Sequence, residues 1–223
     1  MRIFSSLITL SLGALLLVAC GGDDEPSIPR GHVRPHGGDE PFVFPPIGYT
    51  GTDGTTRFSV PFSSNLKDVT WTIGDLAIGE IRTANAPQTY AAYGDSWGLV
   101  DVLGAGTTTI TATSKDGRSA TAMLVVTQYT PAQVNAGRMR YFTPDNPGGM
   151  RIACSDCHMS VQGADHSPLE MAYFPDDQVL KAIVDGKYDD GYVLQGVDHR
   201  WNLTAEENAG IVPFLRSLSP MVF

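Results

Sequence analysis

The chain has 223 residues, 42% of them hydrophobic and 17% charged, an ordinary globular composition with room for one large domain or two small ones. Twenty-four acidic against 15 basic side chains give a formal net charge of −9, which argues against nucleic acid as a partner and is compatible with a basic protein surface. Acidity of this kind also serves solubility and names no function by itself.

The chain opens with "MRIFSSLITLSLGALLLVAC": one basic residue, an apolar run, then small residues. That is the layout of a secretory signal rather than of a membrane span. Leu17-Val18-Ala19-Cys20 resembles the bacterial lipobox, whose cysteine becomes the lipidated N-terminus. The resemblance implies a signal peptide over residues 1–19 and an acyl anchor on Cys20, hence a bacterial membrane lipoprotein facing the periplasm or the cell surface. Gly21 and Gly22 stand where an inner-membrane retention aspartate would be, which favours the outer membrane.

Residues 20–46 are dense in Gly, Pro and charge, and read as a flexible tether in which His32 and His36 are solvated. From 47 to 129 short runs rich in Thr, Val and Ile alternate with turn residues, the texture of an antiparallel β-sandwich. Strands are predicted over 57–60, 69–73, 79–83, 98–103, 107–114 and 119–127. Asp116-Gly117 suits a tight hairpin turn, and alternation places Thr108, Ile110 and Ala112 on one face of their strand. The succession Val69-Thr70-Trp71, Gly98-Leu99-Val100 and "GAGTTTITATSKDGRSATAMLVV" resembles the bacterial immunoglobulin-like repeats of surface proteins. That resemblance implies a core position for Trp71 and a spacing or contact role, in a single copy.

Beyond residue 130 the period becomes helical. "PAQVNAGRMRYF" accepts Pro131 in a first turn. "PDDQVLKAIVDGK" carries an apolar stripe of Val179, Leu180, Ile183 and Val184 and a stop at Gly186. In "NLTAEENAGIVPFLRSLSP", Thr204 and Glu207 form a capping box, Ile211, Phe214, Leu215 and Leu218 share a face, and Pro213 should kink the helix.

Between the first two helical stretches lies "ACSDCHMS", with two of the three cysteines in the chain. Cys154-Ser155-Asp156-Cys157-His158 is the Cys-x-x-Cys-His pattern of covalent haem attachment. Thiols three positions apart on one turn can add to the two vinyl groups along one porphyrin edge, while the next residue turns its imidazole to the iron. A Cys154–Cys157 disulfide or a thioredoxin-like pair uses the same spacing, but neither needs His158 and no βαβ context surrounds the motif, and a zinc site wants about four ligands.

Gly137 and Tyr141 one turn apart, the motif, Pro168-Leu169, "AIVDGK" and "LTAEENAGIVPFLRSL" resemble, in that order, the small cytochrome c family. The resemblance implies an all-α cytochrome c domain over 131–223 with one covalent haem c. It implies first and last helices that cross where Gly137 lets them approach and Tyr141 and Leu215 fill the contact, and a carbonyl of Pro168 that orients His158. Two features depart from the family: a long loop between Tyr141 and Cys154, and no methionine between residues 172 and 220. His199, just before the last helix, is therefore the expected sixth ligand, ahead of Met171 or an open position; His166 and Met171 follow the motif too closely.

The fold class expected is thus multidomain, an immunoglobulin-like β-sandwich followed by an all-α cytochrome c domain. The function expected is a membrane-anchored exported electron carrier rather than an enzyme, passing electrons to redox partner proteins, with Asp189, Asp190 and Asp198 available to steer a basic one. The alternative is a surface interaction module with an accessory or sensing haem.

Overall fold

The structure, a computed structural model, describes residues 39–86, 93–144, 152–158, 166–187, 191, 193–194 and 200–219. Eight strands come first: β1 (Val43–Phe44), β2 (Ile47–Thr52), β3 (Ser59–Ser64), β4 (Thr70–Ile73), β5 (Gly79–Ala84), β6 (Ser96–Val102), β7 (Gly106–Thr113) and β8 (Ser119–Gln128). Five helices follow: α1 (Pro131–Tyr141), α2 (Cys154–His158), α3 (Pro168–Met171), α4 (Asp176–Asp185) and α5 (Ala205–Arg216).

The strands form two four-stranded sheets, ordered β1-β3-β6-β5 and β2-β8-β7-β4. All pairings are antiparallel except β2 with β8, which run parallel from Ile47 opposite Met123 to Thr52 opposite Gln128. The period of two that β7 shows in sequence is realised in space, with Thr108, Ile110 and Ala112 buried and Thr107 and Thr109 exposed. These inward residues meet Val60, Phe62, Trp71, Val100 and Leu124 in the core between the sheets. Each such side chain, fully buried, contributes about 1.5–3 kcal/mol. Asp116 and Gly117, the latter at φ +88°, turn β7 into β8. Strands β1 and β2 arise where the sequence shows no alternation; β1 falls inside the stretch read as tether, and its Phe44 packs with Tyr93 and Trp97.

The helices begin and end for local reasons. Thr130 and Gln133 form a capping box ahead of α1, and Thr204 and Glu207 form one ahead of α5. Helix α4 ends on Gly186, whose left-handed conformation lets its amide reach the Ala182 carbonyl. Helices α1 and α5 cross at Gly137 and Gly210: a Cβ on Gly137 would stand 2.0 Å from the Gly210 carbonyl oxygen, and one on Gly210 would stand 2.4 Å from that of Gln133. Tyr141 and Phe214 pack beside this crossing with centroids 5.2 Å apart.

The expected fold class needs correction. Among the described residues the protein is mostly β-sheet, two sheets of four strands with only short helices, and these helices do not make an all-α cytochrome domain after the sheets. The reason lies in what the helices bury. Ala172, just past α3, is 1% exposed and belongs to the core between the sheets, and its carbonyl accepts the Tyr49 amide of edge strand β2 at 2.7 Å. Tyr173 stacks on Phe44 of β1 with centroids 5.7 Å apart. Conversely, Phe58 and Tyr129 from the sheets sit in one apolar cluster with Val134, Tyr141, Val179, Ile211 and Leu215 of the helices. The helices complete two cores shared with the sheets instead of enclosing one of their own.

Candidate functional site

Cys154, Cys157 and His158 occupy the single turn of α2, so the spacing read from sequence is a helical one. The turn is closed by Asp156: its carboxylate accepts the Ala153 amide at 3.1 Å, while its own amide donates to the Ala153 carbonyl at 3.1 Å. Cys157 is buried, and Cys154 and His158 are half-buried.

Two faces meet the motif. On one, the His166 ring lies on that of His158, centroids 3.6 Å apart and planes within 17°, and Tyr141 flanks His166 at 5.9 Å. On the other, Cys154 packs against the helical cluster together with Met171, Phe174, Leu180, Ile183, Leu203 and Leu218. All of these are only partly covered, an apolar shell from α3, α4 and the flanks of α5 that remains partly in contact with solvent.

Pro168 is buried at the first position of α3, and its carbonyl accepts the Ala172 amide at 2.9 Å, one lone pair of the two that it has. Met171 closes α3, and Arg216 donates to its carbonyl. Cys20 and His199 lie outside the described residues, as do His32, His36, Asp189, Asp190 and Asp198. Arg200 is exposed. Trp201 is half-buried, with the guanidinium of Arg140 over its ring at 5.5 Å. Arg140 itself is buried, donates to the carbonyls of Thr143 and Pro144, and stands 3.7 Å from Glu207. Arg140 and Gly210 are absent from the sequence reading. A glycine inside an otherwise good helix was the available sign of Gly210, since such a residue usually marks a close approach.

Cys154 carries no disulfide. The Cys154–Cys157 bridge weighed from the sequence is therefore not formed. Among the described residues no group of three or more His, Cys, Asp or Glu side chains is placed to hold a metal ion by itself. An open cleft of about 710 Å³ runs along the sheets past Val69, Thr70, Thr83 and Trp97, and none of the motif residues lines it.

The residues at the motif fit a covalent haem in one respect: the sulfurs and the imidazole share one turn. One face of the His158 ring is already taken by His166. No protein-family model matches the chain, and no curated protein matches it.

Proposed function

We propose that the chain is an exported, lipid-anchored electron carrier holding one c-type haem through Cys154, Cys157 and His158. The observation that carries this is the Cys-x-x-Cys-His sequence brought onto the single helical turn of α2. When bound, the group supplies a one-electron couple between ferrous and ferric iron.

The protein's own residues do the rest. The two sulfurs fix the group along one edge. Asp156 closes the turn that presents them, and packing by His166 limits rotation of the His158 ring. Pro168 is the candidate to accept from the second ring nitrogen of His158 and so fix its tautomer. His199 is proposed as the sixth ligand; the stacking of His166 on His158 supports that choice by removing the nearer histidine. Cys20 is proposed as the acylated residue, with residues 21–38 as the reach between membrane and sheets. The partners proposed are redox proteins, and the acidic surface favours basic ones.

The test is intact mass of the mature protein expressed with a haem-attachment system. Wild type should gain the mass of one haem that survives acid-acetone extraction, and the Cys154→Ala, Cys157→Ala variant should not. A wild-type mass without haem would refute the reading.

A further inference from the structure

The eleven residues 166–176 run from the motif to the sheets, and they are held at every stage by a different element. At the start, the His166 ring lies flat on His158. In the middle, Ala172 is built into the core between the sheets, its carbonyl taking the Tyr49 amide of β2, and Tyr173 stacks on Phe44 of β1. At the end, Asp176 accepts from two partners: the hydroxyl of Tyr129, just after β8, at 2.5 Å, and the guanidinium of Arg216 at 3.0 Å. Arg216 also donates to the carbonyls of Met171 and Phe174, so one side chain ties three points of the segment.

We propose that residues 166–176 are a strap coupling the sheets to the imidazole of His158, with Tyr129, Asp176 and Arg216 as its positioning residues. This rests on the reading of His158 as an iron ligand, and it gives the sheets a part in the site itself rather than a role as spacer.

The energetics make the strap stiff. Arg216 is 1% exposed, and a guanidinium so placed is tolerable only while its partners stay in reach. Lifting the strap would leave it without the Asp176 carboxylate and two carbonyls. Tyr129 is held by packing as well as by its hydrogen bond, since its ring sits where a Cβ on Gly51 would be, 1.9 Å away. Burial, and then the Asp176 carboxylate, push the Tyr129 phenol well above its usual range, so it remains a donor throughout the physiological range. A displacement of β8 or β2 is therefore passed to Asp176 or Ala172 and on to the ring that packs on His158. What packs on or bonds to a ligating imidazole sets its orientation and, with it, the properties of the metal.

The decisive variant is Tyr129→Phe in the full-length protein. It removes one hydroxyl at a residue absent from the motif and keeps the ring. Amide hydrogen exchange read by mass spectrometry should speed up about tenfold in the peptide covering 154–158 relative to β6, the scale of one lost charge-assisted hydrogen bond. In haem-loaded protein the midpoint potential and the low-spin ferric electron paramagnetic resonance spectrum should shift as well. Asp176→Asn should do the same, and Asp176→Glu should restore part of the effect. Ser114→Ala, which loosens the β7–β8 turn without touching the strap, serves as the control and should leave 154–158 unchanged. Unchanged exchange at 154–158 in Tyr129→Phe, or an equal change in Ser114→Ala, overturns the coupling. If the protein carries no haem, the exchange measurement still decides, so failure of the haem reading and failure of the coupling are told apart.

Discussion

Replacing Gly137 by alanine should pit two effects of known size against each other. Alanine improves an isolated helix over glycine by about 1 kcal/mol. At this position, however, the added Cβ would meet the Gly210 carbonyl oxygen at 2.0 Å, its carbon at 2.5 Å and the Phe214 Cβ at 2.8 Å. None of these is the free end of a flexible side chain, so none can swing aside. Ordinary contact begins near 3.4 Å, so α1 and α5 must part by more than an ångström along this line. Overpacking of a tight core costs about 1–3 kcal/mol, and a clash with the backbone of α5 belongs at the upper end. The clash wins, and the net loss should be about 2 kcal/mol. Parting the helices would also loosen Tyr141 from Phe214 beside the motif.

Urea unfolding of the full-length protein followed by far-ultraviolet circular dichroism measures this directly. Asn135→Ala, exposed on the same helix, is the control that carries the propensity change without the contact. A Gly137→Ala midpoint equal to or above wild type would refute the close crossing of α1 and α5.

Three further outcomes are expected. Asp116 is held down to about 2 by the Ser114 hydroxyl first, then by the amide and guanidinium of Arg118; a carboxyl depressed in the folded state stabilises above its ordinary value near 3.8 and stops doing so as pH falls toward 2, so the unfolding midpoint of Asp116→Asn should be less steep than wild type over that window. Thr204→Ala removes the cap on the Glu207 amide and should lower stability by about 1 kcal/mol in the same urea assay, with no change indicating that α5 is held by packing alone. On the proposed ligation, His199→Ala should turn a low-spin optical spectrum high-spin while Met171→Ala leaves it unchanged, and a wild-type near-infrared sulfur-to-iron band that disappears in Met171→Ala would reverse the assignment.

What could be read ahead of the structure was whatever is local. The alternation Thr108, Ile110, Ala112 specifies a strand face, the pair Asp116-Gly117 a turn, Thr204 with Glu207 a helix start, and Gly186 a helix stop; each depends on neighbours within a few residues. Cys154, Cys157 and His158 were legible for the same reason, since one turn contains them all. Strand β2 was not, because "IGYTGT" lacks alternation and becomes a strand through its pairing with β8, about 75 residues further on. Asp176 illustrates the limit within one residue. It stands at the first position of α4, yet its carboxylate does not cap the helix and is spent instead on Tyr129 and Arg216, partners 47 and 40 residues away.

The separate all-α domain failed as an expectation because a helix stripe says which face is buried against something, not against what. In α5 and just beyond it, Ile211, Phe214, Leu215 and Leu218 form the stripe, and taken alone they describe an amphipathic helix with one buried side. Every residue from Gly210 to Arg216 is buried, including Val212, Pro213 and the arginine. A helix closed all round has two covers, and here they differ: α1 through Gly137 on one side, and the 171–176 segment with Tyr129 and Phe58 of the sheets on the other. Val212 and Pro213 on the supposedly outer face were the sequence's own sign of that second cover. A charged residue buried on it could not have been anticipated from periodicity, because its carboxylate and carbonyl partners come from the strap. The same burial that removes the boundary between sheets and helices is what links Arg216 to the segment packed on His158, so the error about domains and the proposed coupling have one physical origin.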